Sequence, residues 1–382
     1  MDKKIPNVVL LIETSREFGR SFLYGIARYS RNHGPWAFYK ELGGLNRSLP
    51  NFEKAEVDGI IMRNPQKYNA LVSLNRPAIL IIHQEHEESR FPKVVTDGEM
   101  VGRMAAEHYM DKGFQNFGFC GFAEMFWSRE RERFFNLRLE EAGYTCHSYK
   151  QPRSTNQRAW EHEKEFLVDW IRSLPKPVGI LACNDERGQH VTEACKIAEL
   201  RVPDDVAILG VDNDVLVCDL SDPPLSSIAL NTEKAGYETA RLLDDLMKGQ
   251  AMAGQRILVE PTRIVERQSS NILAVDDENV AQAVRFISDN VDKPIQVNDV
   301  AQAAALSRRV LERRFRQLLH RSINEEIKRI RIKRCIQLLF ETDLSISEIA
   351  TTMRFSGVEH ISRYFRNAIG MSLSAYRRKL GK

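Results

Sequence analysis

Ser345-Ile346-Ser347-Glu348-Ile349-Ala350, followed by Arg354-Phe355-Ser356, Tyr364-Phe365-Arg366 and Gly370-Met371-Ser372, is the stretch on which the reading of this 382-residue chain depends. Moving back 49 to 50 positions recovers its pattern: Val300-Ala301 matches Ile349-Ala350, Ser307 matches Ser356, and Leu311-x-x-x-Phe315 matches Ile361-x-x-x-Phe365. A repeat at a fixed offset marks one supersecondary unit used twice. Each copy reads as a short helix, a turn at its serine and a second helix. Asn298 is the expected N-cap of the first short helix, and Ser345 with Glu348 has capping-box spacing in the second copy.

The second helix of each copy divides by face. Leu311, Phe315 and Leu318 recur at i, i+4 and i+7, as do Ile361, Phe365 and Ala368, and these are expected to face a core. The opposite faces carry Arg309, Arg313 and Arg316 in the first copy and Glu359, Arg363 and Arg366 in the second. Such a face suits the major groove, where Arg bonds guanine bidentately, Glu accepts from cytosine and further Arg neutralises phosphate. If the connecting helix, Ile323 to Phe340, holds the two parallel, they reach successive grooves about 34 Å apart.

Charge agrees. From Val275 to Lys382 there are 20 Lys/Arg against 13 Asp/Glu, a balance of +7, whereas the first 274 residues stand at −4. A basic segment fits a polyanionic partner, although a solvated charged surface gives the same count. A generic amphipathic bundle would need the repeat, the caps and the charge to coincide by accident.

The six cysteines are scattered without a Cys-x-x-Cys pair, so reduced thiols are expected and neither a disulfide framework nor a structural metal is. No run of about eighteen apolar residues is present for a membrane helix. Val8-Val9-Leu10-Leu11-Ile12 is too short for a secretory signal before Glu13 and Arg16, so a cytoplasmic protein that contacts no membrane is expected.

Ahead of the tail, short β-rich runs alternate with helical patterns, the sign of an α/β fold with parallel sheets. Strands are expected at Val8 to Ile12, Val57 to Met62, Ala78 to Ile82, Val94 to Thr96, Phe117 to Cys120, Val178 to Cys183 and Val206 to Val211. Helices are expected at Gly19 to Arg31, Val101 to Asp111, Arg133 to Glu141 and Arg187 to Ala198. Two successive βαβ series predict two lobes. The polar stretch after Gln268 breaks the pattern, dividing the chain into a core over 1–268, a linker over 269–279 and a helical domain over 280–382.

Ligands of open parallel sheets gather beyond the carboxyl ends of the strands. The residues there are polar: Ser15, Arg16 and Arg20 after the first strand, then Asp97, Asn184 with Asp185, and Asp212 with Asn213, while Trp127, Arg129 and Arg131 follow Phe117 to Cys120. Sugars require such a mixture of carboxylate, amide, guanidinium and aromatic face. Taken singly, each Asp after a strand is better explained by turn formation or helix capping.

The tail resembles the DNA-binding domain of AraC-type regulators in the motifs quoted above and in Ala375-Tyr376-Arg377-Arg378; Leu373 stands where that family often has Pro. The resemblance implies base contacts from Arg309, Glu312 and Arg313 in the first unit and from Glu359, His360 and Arg363 in the second. The front resembles the effector-binding core of lac repressor-type regulators, itself built like periplasmic sugar-binding proteins. That likeness lies in Val95-Thr96-Asp97, the run Gly179 to Asp185, the run Arg201 to Asn213, and Pro223-Pro224-Leu225-Ser226-Ser227-Ile228. It implies effector contacts at Asp97, Arg131, Asn184 and Asp212, with Arg20, Trp127, Asp185 and Asn213 beside them.

The fold class implied is a two-lobed α/β receptor core followed by an all-α domain with two helix-turn-helix units. A receptor core followed by an AraC-type tail resembles regulators of pentose operons, and that resemblance implies D-xylose as effector and activation of pentose catabolism genes. It further implies paired double-stranded DNA half-sites, a homodimer and, for an activator, RNA polymerase as partner. Phe18 and Phe126 depart from the pattern and leave room for another sugar; a repressor remains an alternative.

Two other classes compete. An enzyme would need a phosphate-cradling glycine loop, a nucleophile with its base, or a metal cluster, and none is legible. His83 and His86 read as a solvated surface pair rather than metal ligands. A transport binding protein would share the front fold but not the basic tail. No cofactor is expected.

Overall fold

The computed structural model describes residues 5–40, 57–63, 76–81, 91–152, 154, 160–250, 255–275 and 277–379. Ile82, the end of one expected strand, and His83 and His86 lie outside the described residues. The chain divides into two compact units, Met1–His108 with Gln115–Ile272, and Tyr109–Phe114 with Leu273–Lys382.

Among the described residues, the first unit holds two six-stranded sheets. One is built from β1 (Asn7–Leu11), β2 (Ala37–Lys40), β3 (Gly59–Met62), β4 (Ala78–Ile81), β5 (Lys93–Thr96) and β11 (Arg256–Val259), in the order β11-β5-β4-β3-β1-β2 and parallel throughout. The other comprises β6 (Asn116–Cys120), β7 (Cys146–Ser148), β8 (Val178–Ala182), β9 (Val206–Asp212), β10 (Ser226–Leu230) and β12 (Pro261–Val265). Its order is β12-β10-β9-β8-β6-β7, with only β12 antiparallel.

Hydrophobic runs become parallel strands here because both faces are covered. Val8, Leu10 and Ile12 pack on one side beneath α1 (Glu17–His33) and α7 (Thr232–Met247), while Val9 and Leu11 join Ile60 and Met62 on the other. Helices α1 and α7 approach closely enough to require glycine. A Cβ at Gly25 would stand 1.9 Å from the Glu233 carbonyl oxygen, and one at Gly236 would stand 2.1 Å from that of Phe22.

The second sheet is flanked by α2 (Gly98–Asp111), α3 (Phe126–Glu141), α4 (Trp160–Ser173), α5 (Asp185–Ile197) and the short α6 (Val215–Leu220). The chain passes between sheets at Asp97, at Asn231 and at Glu260. These crossings bond side by side: Asp97 N–H donates to the Val259 carbonyl (2.9 Å), Asn231 N–H to the Glu260 carbonyl (2.9 Å), and Glu260 N–H to Asn231 Oδ1 (2.8 Å). Such a band of short segments is the anatomy of a hinge.

After Val265 the chain does not become loose at once. Gln268–Ser270 forms a 3-10 turn in which Ser269 Oγ accepts from Ser226 N–H and donates to the Ile208 carbonyl, and both serines are fully buried.

The second unit is helical: α8 (Glu278–Asp289), α9 (Val297–Ala303), α10 (Arg308–Leu319), α11 (Ile323–Glu341), α12 (Ile346–Thr352), α13 (Val358–Ile369) and α14 (Leu373–Lys379). Asp277 caps α8 by accepting from Val280 N–H at 3.1 Å. Two small cores form, one around Val300, Leu311 and Phe315, the other around Ile349, Ile361 and Phe365. Helix α11 serves both: Ile323 and Ile327 enter the first core, and Ile332, Cys335, Leu338 and Leu339 enter the second.

Candidate functional site

Between the sheets of the first unit lies a narrow cleft. Arg16 and Phe18 reach it from the end of β1, Arg63 from the end of β3, Thr96 from β5, Trp127 and Arg131 from α3, Asn184 from the end of β8 and Asp212 from the end of β9. It therefore sits at the carboxyl ends of both sets of strands, where the sequence directs attention.

Of the eight effector-contact candidates named from the sequence, Trp127, Arg131, Asn184 and Asp212 line this cleft together, with Arg16 and Phe18 beside them. Arg131, only 2% exposed, donates to the Cys183 carbonyl, approaches Asp212 Oδ1 at 3.4 Å and lies over the Trp127 ring at 5.0 Å. Asn184 faces the cleft while its Oδ1 caps α5, accepting from Arg187 N–H at 2.9 Å. Asp212 has φ +104° and Asn213 φ +53°, consecutive non-glycine residues in a region that side chains disfavour. Burial raises the Asp212 carboxyl, and Arg131 and Arg63 pull it back toward ionisation.

The other four spend their side chains on neighbouring protein groups. Arg20 bonds Asp214 at 2.8 Å, Asp97 caps α2 through Met100 N–H at 2.9 Å, and Asn213 Oδ1 accepts from Arg267 at 3.0 Å. Asp185 accepts from the Ser227 hydroxyl and from Asp214 N–H (2.6 Å). Burial, reinforced by the Asp212 charge, pushes the Asp185 carboxyl well above the usual range. These residues fix the loops that carry Asp212 and the first turn of α1.

Two features escape the sequence reading. Arg63, 8% exposed, lines the cleft over the Phe18 ring at 4.8 Å. It follows a strand's carboxyl end, so inspecting β3 as the other strands were inspected would have found it. Beneath Asn184, Arg187 is fully buried and makes a two-pronged pair with Glu163 at 2.6 and 3.0 Å, flanked by the Phe122 and Tyr149 rings. The buried thiols of Cys120 and Cys183, pushed up by burial to about 11 and about 12, are packing groups rather than nucleophiles.

In the second unit, α9 with α10 and α12 with α13 form the two helix-turn-helix repeats. Their equivalence extends to the backbone: Ala305 and Arg354 have φ +52° and +51° in the two turns, and His320 and Gly370 close α10 and α13 in the left-handed region. The first turn has four residues between helices and the second five, which accounts for an offset shifting from 49 to 50. Ser307 Oγ caps α10, weakly at 3.4 Å, whereas in the second copy Gly357 occupies the cap and Ser356 Oγ bonds His360 Nδ1 at 3.1 Å.

The Ser345–Glu348 capping box is present, with bonds of 2.6 and 3.2 Å. Asn298 is not the cap of α9. That helix is capped two positions earlier, at Gln296, whose N–H donates to Asp299 at 2.7 Å. Leu318 packs half-buried against the first core as expected, beside the buried Leu319. One i+7 position needs correction: Ala368 is exposed while Ile369 packs inward, because the buried stripe of α13 turns to i+8 at its last turn.

Arg309, Arg313 and Arg316 are exposed on α10, and Glu359, His360, Arg363 and Arg366 on α13. Glu312 is half-buried, its carboxylate accepting from Ile323 N–H at 3.4 Å at the start of α11. Arg331 of α11 joins the two repeats from within: it donates to the Lys293 and Met353 carbonyls, the latter at 2.7 Å, and stacks on Phe355 at 4.6 Å.

Residues 106–270 match the periplasmic binding protein-like domain family, and residues 300–379 match a helix-turn-helix domain family. The xylose operon regulatory protein of Escherichia coli is 29% identical over 386 residues, covering 99% of this chain and 98% of its own. The chain is a transcription regulator.

The solved structure of the xylose-binding transcription activator xylR aligns over 99% of both chains with a TM-score of 0.63 and 28% identity. A dimeric lac repressor with a C-terminal deletion aligns with 70% of the regulator and 99% of its own chain, with a TM-score of 0.54 and 18% identity, a likeness of fold alone. Like these relatives, the regulator is not an enzyme. None of its described helices is long and apolar enough to cross a membrane.

Proposed function

We propose that the regulator switches transcription in response to a small sugar held in the cleft, acting from the cytoplasm as a homodimer on paired DNA half-sites. The observation that carries this reading is the convergence of Asp212, Asn184, Arg131 and Trp127 on one cleft between two hinged lobes. A carboxylate accepts from adjacent hydroxyls, the amide and guanidinium add directional bonds, and the indole covers the C–H face of a sugar ring. In this assignment Arg20, Asp97, Asp185 and Asn213 position the contact residues. The names of the relatives bring D-xylose as the first candidate and activation as the output, with RNA polymerase as the further partner. The dimer follows the lac repressor, whose structure is described as dimeric.

The DNA surface in this reading is the exposed set Arg309, Arg313 and Arg316 with Glu359, His360, Arg363 and Arg366, Glu312 supporting it from α10. Residues 1–268 receive the signal, 269–279 link, and 280–382 read DNA. A sugar with higher affinity for one lobe arrangement would shift the population toward it by no more than that difference. Calorimetric titration with xylose, arabinose, ribose and glucose, alongside DNA binding with and without each, tests the reading. Binding of a sugar that changes DNA affinity supports it; DNA affinity indifferent to every bound sugar refutes it.

A further inference from the structure

The cleft contains more guanidinium than a neutral sugar needs. Arg63 is more than nine-tenths buried, and its Nε and Nη1 have no hydrogen-bond partner among the described residues. Arg131 is buried more deeply still, and its Nε is likewise unpartnered. The cleft's other arginine, Arg16, is tied to Glu186, and Arg131 has Asp212. Arg63 has no ion pair among the described residues; Asp212 and, more weakly, Glu13 act on it only through space, and the Glu13 carboxylate accepts from the Ser15 hydroxyl.

A buried charge without a bonded counter-charge is costly, and a hydroxyl can satisfy a donor but cannot compensate the charge. Burial disfavours the charged form of Arg63; the Asp212 and Glu13 charges oppose that through space, and Arg16 and Arg131 add repulsion. We infer that the effector is a sugar acid, an aldonate or uronate, whose carboxylate is taken by the Arg63 guanidinium. Asp212 and Asn184 then read the hydroxyls. A singly charged carboxylate matches a single unpaired guanidinium, whereas a phosphate carries about −1.5 to −2 and would leave the excess unmatched. The planar fork of Arg is shaped for two parallel bonds to a carboxylate.

The inference rests on the proposal that this cleft is a sugar site, and the test separates the two. The full chain is titrated calorimetrically with D-xylose, D-xylonate, D-glucuronate, D-xylose 5-phosphate and inorganic phosphate. An acid sugar should bind at least about tenfold more tightly than D-xylose, and Arg63→Gln should weaken it roughly ten- to a hundredfold, the loss expected for a charge-assisted bond. Arg63→Lys, which keeps the charge but loses the fork, should weaken it less, and it serves if the glutamine variant fails to fold. Tighter binding of D-xylose than of either acid would overturn the acid while leaving the sugar site standing. Preference for the phosphate ligands, or an acid-sugar affinity unchanged in both variants, would also overturn it. Binding of none of the compounds would remove both readings together.

Discussion

Arg131 and Asp212 pair in the lining of the cleft, Nη2 to Oδ1 at 3.4 Å, the guanidinium held also by the Cys183 carbonyl and lying over the Trp127 ring. The separation is long for a charge-assisted bond, so Asp212 retains lone pairs for an incoming donor, while Arg131 opposes the rise that burial imposes on its carboxyl. Asp212→Asn keeps the shape and removes the charge. The best-binding sugar in the titration should then lose roughly ten- to a hundredfold in affinity. An unchanged dissociation constant would remove Asp212 from the site.

The Glu163–Arg187 pair carries no ligand but supports Asn184, since Arg187 N–H donates to the Asn184 cap. Removing one member strands the other charge in a dry interior. Glu163→Gln should lower the stability of the first unit by about 3–5 kcal/mol, read as a lower urea midpoint. Replacing both by apolar residues of similar volume should restore most of that loss.

Arg331 fixes the relation between the two repeats through Lys293 and Met353. Arg331→Met should cost about 1.5–3 kcal/mol in the second unit. It should also weaken binding to a two-part operator more than binding to either half alone. Equal losses on all three DNAs would show that the arginine stabilises without setting the spacing.

Arg313 and Arg363 occupy exposed faces of the two candidate reading helices. Alanine at either should cost about 1–3 kcal/mol in specific DNA binding, and each should relax base preference at a different position. Those positions should lie about 10 base pairs apart, one helical turn. Selection of binding sites from random DNA with each variant provides the readout.

Glu326 is fully buried between Arg321 and Arg329, bonding Arg329 at 2.7 and 2.8 Å. Burial alone would raise its carboxyl, but the arginines outweigh it and hold it below the ordinary 4.5. A carboxyl depressed in the folded state contributes stability that is complete above its unfolded value and lost as pH falls through the folded one. The second unit should therefore lose stability on acidification below about pH 4.5, and Glu326→Gln should be less stable at pH 7 with a flatter acid limb. Denaturation midpoints between pH 3 and 7 would show it.

Much of this protein was legible before any coordinates. Periodicity is local, so the repeat, the Ser345 capping box and parallel strands such as Val178–Ala182 followed from spacing and turn chemistry. Position is nearly local as well: a residue just past a parallel strand stands at the ligand-binding edge, which brought Asn184 and Asp212 into view. What a polar side chain does once there depends on partners distant in sequence. Arg20 and Asp185 turned to residues 194 and 42 positions away, and Glu163 found Arg187 from another helix. Arg63 shows the opposite case. Packing buried its guanidinium without giving Nε or Nη1 a partner among the described residues, and only the assembled cleft reveals that excess, because desolvation and unmet hydrogen bonds belong to the tertiary arrangement.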